Sequence, residues 1–310
     1  MILNGTQKKE IQSISNDIEC FVGDIRHKES LKPFFSNSKG SVLFHLAGII
    51  HPKKLNDLYD VNSWGLKNVL EIASNSKVKR VIVISSNSPI GCNIDNDHLF
   101  NELDDYNPYM TYGKSKKLAE EITNSYYKSG KIETVILRPC WFYGPNQPVR
   151  QTLFFDMVKN GKMPIVGNGR NKRSMSYVDN TCQALLLARQ VDKANGQTYW
   201  IADERPYSMN EIIDTVKELL KNEFGFMVAK NNLRIPSIAS EVAYIMDYSL
   251  QAFGLYNQKL HVLSEMNKTI ACSIDKAKNE LNYNPKFSLE EGMRQSISWC
   301  IKNGYLQNKI

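Results

Sequence analysis

An α/β fold with a doubly wound parallel sheet is predicted by three features of the sequence. Short apolar runs rich in Val and Ile alternate with helical patterns, and such runs are typical of strands that are covered on both faces. From about residue 208 the pattern becomes mainly helical, which predicts a smaller second region beside the sheet. A chain of 310 residues, 42% of them hydrophobic, is long enough for one large core or two small ones.

Predicted strands and helices alternate through the first two thirds of the chain. The apolar runs predict strands at 18–24, 41–48, 79–86, 133–139 and 197–202. Helical patterns occupy 54–74, 115–129 and 179–190. Because helices separate the strands, we expect βαβ units. Near the end, Ser288 and Glu291 have the spacing of a capping box, which predicts a final helix from that point.

Composition and charge narrow the classes of function. The net charge is +7, but Lys and Arg are scattered among Asp and Glu, so no nucleic-acid partner is expected. No apolar stretch approaches the roughly 20 residues of a membrane span, and no membrane partner is expected. The first residues lack an apolar signal core, which predicts a cytoplasmic protein. The six cysteines show no C-x-x-C pairing and the five histidines no metal spacing, so buried thiols and no metal site are predicted.

Tyr112 and Lys116 stand four positions apart where a helix is expected to begin. This spacing places their side chains on one helical face. A phenol has a pKa of about 10, and a nearby ammonium is expected to lower it, as a catalyst that handles an alcohol proton requires. From these residues alone, a half-buried tyrosine beside a solvated lysine on an ordinary amphipathic helix is the more expected interpretation, because this spacing occurs by chance in many chains.

A series of short motifs runs in a fixed order along almost the whole chain. They are G-D-I at 23–25, H-L-A-G at 45–48, the helix motif that contains Asn62, S-S-N-S-P-I-G at 85–91, L-R-P at 137–139, Y-G-P at 143–145, G-N-G at 167–169, Y-V-D at 177–179 and L-N-Y-N-P at 281–285. Together with the Tyr112 and Lys116 pair, they resemble the extended short-chain dehydrogenase/reductase family, which includes NAD-dependent sugar epimerases and dehydratases. The resemblance implies a Rossmann-like sheet.

The resemblance also implies a role for each matching residue. Ser86, Tyr112 and Lys116 would be catalytic. NAD or NADP would be the cofactor, and its contacts would be Asp24, Ile25, Leu46, Ala47, Gly48, Pro139, Tyr112 and Lys116. The small-molecule substrate would meet Ser86, Trp141 and Arg173. Two alternatives stay open: Ser86 caps the following loop, and Arg173 forms a surface ion pair.

Departures from the family pattern bear on the substrate. Trp141 stands where nucleotide-sugar enzymes of the family usually have an asparagine that helps to hold the diphosphate. An indole donates a single hydrogen bond and fills an apolar volume. The expected function is an NAD(P)-dependent oxidoreductase or epimerase acting on a secondary alcohol such as a sugar or nucleotide-sugar. The alternative is hydroxysteroid dehydrogenase-like oxidation of an apolar alcohol. Dehydration is less expected, because the family's acidic pair does not follow Ser86.

The glycine-rich turn of a dinucleotide site is missing from the sequence. No G-x-G-x-x-G or G-x-x-G-x-x-G occurs in the 310 residues, although such a turn seats the pyrophosphate on a helix N-terminus. We therefore expect a truncated chain that lacks the first strand, the first helix and most of the second strand, on the order of 35 residues. Weak binding of NAD or NADP follows from this expectation, and a non-catalytic remnant or binding protein is the further alternative.

The predicted domain boundaries follow the motifs. Residues 1–145, with 177–206 returning to them, would form an incomplete dinucleotide-binding domain. Residues 146–176 and 207–310 would form the substrate-binding portion. A homodimer through the helices that carry Asn62 and Tyr112 is expected from the resemblance.

Overall fold

The computed structural model describes residues 1–3, 11–15 and 17–307. Its central sheet has four parallel strands in the order β1-β2-β3-β8. The ten strands are β1 Val42–His45, β2 Arg80–Ile84, β3 Glu133–Pro139, β4 Trp141–Tyr143, β5 Pro164–Val166, β6 Lys172–Arg173, β7 Met175–Tyr177, β8 Thr198–Ile201, β9 Tyr207–Ser208 and β10 Leu233–Ile235. The six strands outside the central sheet form two-stranded pairs.

Helices pack around the sheet and make up most of the C-terminal region. The α-helices of the described residues are α1 Lys32–Phe35, α2 Asn56–Tyr59, α3 Leu66–Asn75, α4 Met110–Lys128, α5 Val149–Lys159, α6 Val178–Gln190, α7 Met209–Glu218, α8 Ile238–Ala252, α9 Gln258–Glu265, α10 Asp275–Leu281 and α11 Leu289–Lys302. Two 3₁₀ turns (Lys28–Leu31 and Asp192–Ala194) and two π turns (Asp60–Gly65 and Leu219–Glu223) complete the list.

The predicted doubly wound α/β class is confirmed, and four of the five predicted strands form the sheet. Residues of β2 and β3 are buried on both faces, as their Val- and Ile-rich sequences predict. The prediction at 18–24 is wrong as a regular strand, because within the described residues this segment pairs only through an isolated bridge between Val22 and Ile2. The ring of Phe21 beside it packs edge-on against that of Phe34.

Strand β1 lies at one edge of the central sheet as described. A cavity of about 290 Å³ separates it from the segment around Phe21 and is lined by residues that include Phe34, Val42 and Leu43. Past the end of β1, Leu46 is 61% exposed. Among the described residues, β2 is therefore the only strand that pairs with β1, and the expected raw apolar edge stays a prediction.

The predicted helix at 54–74 is interrupted by the π turn Asp60–Gly65 between α2 and α3. Gly65 explains the close packing there, because a Cβ at this position would lie 2.7 Å from Cγ1 of Ile25. A π turn is a local bulge that often marks a functional region. It places Asn62 inside the fold, where the side chain is buried.

Three apolar clusters form the core. Two of them, built around Ile82 and Val83, cover the two faces of the central sheet. The third lies in the C-terminal region and includes Ile212 and Ile297. The capping box of Ser288 and Glu291 is confirmed at the start of α11. The domain boundaries stay a prediction. Within the described part of the chain, no helix combines the length and hydrophobicity that crossing a bilayer requires.

Candidate active site

The N-terminus of α4 lies against the loop that follows β2. Gly113 permits this approach, because a Cβ there would lie 2.4 Å from the backbone oxygen of Ser88. Tyr109, just before the helix, donates its backbone N–H to the same oxygen at 2.9 Å. Met110 between them has a left-handed φ of 52°, a costly conformation for a residue with a side chain. The helix therefore begins at Met110, five residues before the predicted start.

Ser86 and Tyr112 meet at this junction, as the sequence predicts. A hydrogen bond joins the Tyr112 phenol to the Ser86 side chain. Ser86 Oγ also accepts the backbone N–H of Ser88 at 3.3 Å, so the loop-capping role exists beside the catalytic one. Burial raises the pKa of Tyr112 to about 12, and the Ser86 hydrogen bond only partly opposes this rise. The expected lowering of the phenol pKa is therefore wrong, because burial outweighs any nearby positive charge.

Lys116 points along the same face of α4 toward the ends of the strands. Its Nζ donates to the backbone oxygen of Ile84 at 2.9 Å. Burial lowers the pKa of Lys116 to about 8, although Glu120 one turn later opposes the shift. Gly48 has no side chain where its backbone passes Lys116, and a Cβ there would lie 4.0 Å from Nζ and 3.2 Å from Asn62 Oδ1.

Asn62 fixes the turn that follows β1. Its amide group accepts the N–H of Ile49 and donates to the oxygen of Ile49, each at 2.9 Å. The same Nδ2 lies 3.2 Å from Ser115 Oγ of α4. Asn62 therefore fixes the Gly48 turn relative to the helix that carries Tyr112. The expected homodimer through these helices stays a prediction.

A buried carboxylate anchors α4 to the strand ends beneath the site. Glu120 Oε1 accepts from Ser85 Oγ at 2.5 Å and from Arg138 Nε at 3.0 Å. Oε2 accepts from Arg138 Nη2 and Tyr106, each at 2.7 Å. Glu120 and Arg138 are almost fully buried, so this pair fixes Ser85, and with it Ser86, relative to α4. Sequence reasoning missed it, although Glu120 continues the Tyr112–Lys116 spacing by one more turn.

Two C-terminal helices also hold the start of α4. Gln251 of α8 accepts the backbone N–H of Thr111 at 3.1 Å, and its amide nitrogen donates to both oxygens of Asp247 at 3.0 Å. Tyr109 bonds Ser264 of α9, oxygen to oxygen, at 2.7 Å. The strained Met110 is thus flanked by two residues whose hydrogen-bond partners lie 140 and 155 residues away in sequence, and no local pattern could have revealed these contacts.

Asp247 is itself paired with a buried histidine. His261 Nδ1 lies 2.8 Å from Asp247 Oδ2. Burial lowers the pKa of His261, but the hydrogen bond with Asp247 and the negative charges of Glu265 and Asp247 together outweigh it, and the net shift is upward. The ring of His51, which bonds the Tyr256 hydroxyl at 2.5 Å, meets the His261 ring edge-on at a centroid distance of 6.5 Å, and burial lowers the pKa of His51 to about 4. The His261 ring also lies 5.8 Å from that of Tyr109, so this histidine pair adjoins the start of α4.

The two predicted substrate residues lie in different surroundings. Arg173 is tied to α9 by an Nη2 bond of 2.5 Å to the backbone oxygen of Glu265, a residue whose charge also raises the pKa of Tyr112. Its Nε is buried and has no partner within the described residues. Trp141 instead packs edge-on against Phe154, with ring centroids 5.9 Å apart.

Of the predicted cofactor contacts, Asp24 and Ile25 already have partners within the protein. The carboxylate of Asp24 accepts a hydrogen bond from Nε of Arg26 at 3.0 Å, and this bond holds the pKa of Asp24 below its ordinary value. Ile25 is buried against α3. Leu46 and Ala47 are exposed beside Gly48, and Pro139 is buried at the end of β3. The cofactor roles of these residues stay predictions.

The six cysteines are free thiols in differing surroundings. Cys140, Cys272 and Cys300 are buried as predicted, but Cys20 and Cys92 are only half-buried and Cys182 is exposed, so the expectation of buried thiols is only partly correct. Among the residues that the structure describes, no group of three or more His, Cys, Asp or Glu side chains could hold a metal ion.

Comparison with known proteins identifies the family of the chain. The model of the 3-beta hydroxysteroid dehydrogenase/isomerase family matches residues 2–234. The chain is 50% identical over 288 residues to the protein y4nL of Sinorhizobium fredii, a match that covers 93% of this chain and 81% of the relative. It is 26% identical over 304 residues to 3beta-hydroxysteroid-dehydrogenase/decarboxylase isoform 1 of Arabidopsis thaliana, covering 91% and 67%.

A solved structure supports the same fold. The chain superimposes on UDP-glucuronic acid 4-epimerase from Bacillus cereus in complex with NAD with a TM-score of 0.72 and 22% identity, covering 96% of this chain and 86% of the epimerase. The family match spans the sheet, Ser86 and the Tyr112–Lys116 pair. The chain therefore belongs to the 3-beta hydroxysteroid dehydrogenase/isomerase family, within the NAD-dependent epimerase/dehydratase type of extended short-chain dehydrogenases/reductases.

Proposed function

We propose that the protein is an NAD(P)-dependent oxidoreductase that interconverts a secondary alcohol and its ketone. The observation that carries this proposal is the junction of Ser86, Tyr112 and Lys116, where a hydrogen-bonded hydroxyl pair and an amine converge at the strand ends. The family match and the NAD in the related epimerase structure support the choice of cofactor.

The nicotinamide end of the site fits a dinucleotide better than the other end. Gly48 has no side chain, and a Cβ at this position would reach into the space beside Lys116 Nζ. An ammonium there is suited to donate hydrogen bonds to the ribose hydroxyls of the cofactor. When bound, the nicotinamide would supply or accept the hydride. The sequence has no glycine-rich turn for the pyrophosphate, so we expect the affinity to come mainly from the Gly48, Tyr112 and Lys116 end.

Tyr112 moves the proton. With a pKa of about 12, its phenol keeps its proton at neutral pH and is ready to donate it to a carbonyl oxygen as the carbon gains a hydride. In the reverse direction the phenolate takes the hydroxyl proton as hydride leaves the same carbon. Ser86, bonded to the phenol, would hold the reacting oxygen in either direction.

Replacing Tyr112 tests the proposal. Tyr112→Phe should lower turnover by roughly 10²–10⁴-fold, the loss expected for an acid–base group, in assays of keto sugars and ketosteroids at millimolar NADH or NADPH. Tyr126→Phe, a change of the same type farther along α4, should leave turnover unchanged. A Tyr112→Phe enzyme as active as the wild type would contradict the assignment, as would a wild type that oxidises neither cofactor with any of these ketones.

An apolar alcohol, as in hydroxysteroid oxidation, is a second candidate that Trp141 favours. Its indole and Phe154 form an apolar pair where nucleotide-sugar enzymes usually place an asparagine. UDP-sugars and dTDP-sugars should therefore bind weakly, and Trp141→Asn alone should not give tight binding. A micromolar dissociation constant for a UDP-sugar, measured by calorimetry, would favour a nucleotide-sugar and a diphosphate bond from the unpartnered Nε of Arg173.

A further inference from the structure

Helix α8 turns its polar residues inward and its apolar residues outward. At 100° per residue, Ile238, Val242 and Ile245 share one side of the helix, and Ile238 and Ile245 are 66% and 64% exposed. The opposite side carries Ser240 and Asp247, both 0% exposed. This is the reverse of an ordinary surface helix, which packs its apolar side on the core. The inward residues are satisfied by hydrogen bonds to α9 and Gln251.

The outward side continues past the end of the helix. Its large exposed residues, called here the apolar face, are Ile238, Val242, Ile245, Met246, Phe253 and Leu255. Phe253 is 84% exposed. Single exposed apolar side chains are common, but a contiguous set marks an interaction surface.

The unpaired charges that flank the apolar face along the chain are both positive. Arg234 precedes α8 and Lys259 follows it in the first turn of α9; both are exposed. The ion pairs found among the described residues include neither of them. Between them the sequence has two carboxylates, Glu241 and Asp247. Glu241 is paired with Lys268 and Asp247 is buried with His261.

This charge pattern distinguishes between two possible partners of the apolar face, a second copy of the chain and a lipid surface. In a two-fold dimer, the same face of each copy meets the other, so two cationic rims with no free carboxylate between them would be brought together. An anionic lipid surface complements both features, because it accepts apolar side chains at its headgroup boundary and attracts flanking Lys and Arg.

We propose that the apolar face docks on the surface of an anionic lipid bilayer. The absence of a long apolar run in the sequence argues only against a membrane-spanning segment, and a helix that lies flat on a bilayer needs none. This proposal departs from the expectation of no membrane partner, and the vesicle experiment below decides between them.

Another side of α8 contacts the segment that leads into the candidate active site. Tyr244, on the flank of α8, lies with its ring centroid 5.8 Å from that of Tyr109, which precedes the Tyr112 helix. A docked bilayer would therefore lie across α8 from the start of the helix that carries Tyr112. The docking proposal does not rest on the proposed function.

Vesicle co-sedimentation of the full chain, without any activity assay, tests the docking. The wild type should sediment with vesicles of phosphatidylcholine and phosphatidylglycerol and stay in the supernatant with phosphatidylcholine alone. Ile245→Glu should reduce the bound fraction about tenfold, because the side chain would no longer enter the apolar layer. The matched control is Leu103→Glu, a change at a 92% exposed leucine outside α8, which should bind like the wild type.

Charge and fold controls complete the test. Arg234→Glu with Lys259→Glu should abolish the preference for anionic vesicles, and Ile245→Ser provides a milder change if thermal unfolding shows that Ile245→Glu is misfolded. Equal binding to both vesicle types, no binding to either, or equal loss in Leu103→Glu would overturn the proposal. So would concentration-dependent self-association that Ile245→Glu removes, since a second copy would then cover the face.

Discussion

At the proposed nicotinamide end of the candidate site, the segment that carries Tyr112 and Lys116 is held by bonds from β2, the π turn and two C-terminal helices, whereas at the proposed adenine end Asp24 is held by its neighbour Arg26. The first end is fixed by contacts between distant parts of the chain, and the second by a local ion pair. Substitutions should therefore have large effects at the first end and small effects at the second.

The largest effect is expected at the buried carboxylate beneath the first end. Glu120→Ala would leave the Arg138 guanidinium, 4% exposed, without its counter-charge, which should cost about 3–5 kcal/mol in the free energy of unfolding. Glu121→Ala, beside it on α4, removes a solvent-exposed pair with Lys117 and should cost less than about 0.5 kcal/mol. Equal losses in denaturant titrations would show that the Glu120 network does not stabilise this end.

The ionisation of Lys116 should make stability depend on pH. Its pKa is about 8 in the fold and 10.5 as a free side chain, so between these values the unfolded chain binds more protons and stability rises with pH. The contribution is roughly 3 kcal/mol over this window and is constant below pH 8. The difference in unfolding free energy between wild type and Lys116→Met should therefore change from pH 8 to 10.5. A difference that is flat across this window would contradict the burial of the ammonium.

The hydrogen bond between Gln251 of α8 and Thr111 of α4 should affect turnover more than substrate binding. Gln251→Met removes the acceptor for the Thr111 N–H and releases the strained Met110 turn before Tyr112. We expect kcat to fall about tenfold, the value of one hydrogen bond, with little change in KM. Gln258→Met, at an exposed position at the start of α9, is the control. A loss confined to thermal stability, with kcat intact, would make Gln251 merely structural.

The smallest effect is expected at the adenine end. Asp24→Asn should change the calorimetric dissociation constant of NAD or NADP less than about twofold, because the carboxylate is partly exposed and already committed to Arg26. Gly48→Val should weaken the same binding strongly, since its side chain would enter the space beside Lys116 Nζ. A large loss in Asp24→Asn would restore its predicted role at the adenine. Micromolar affinity of the wild type would contradict the expected weakness without a glycine-rich turn.

Local sequence signals predicted much of this architecture. Four of the five predicted strands and the capped final helix are present, because alternation, apolar runs and caps depend on residues close together in the chain. The strand predicted at 18–24 failed for the complementary reason: pairing requires a neighbour, and the run itself does not supply one. Ser86 and Tyr112 could be paired in advance only through the order of motifs that resembles a family.

The sequence by itself determined the α/β class, the family and the residues at the centre of the candidate site, since these reside in short motifs and local periodicity. Tertiary structure decided how those residues ionise and what surrounds them. Burial raises the pKa of Tyr112, where spacing alone suggested a fall, because desolvation depends on every segment packed over the phenol. Packing of α8 on α9 likewise directs Asp247 inward and Ile245 outward, and this choice depends on His261 and Gln251, whose positions only the folded chain fixes.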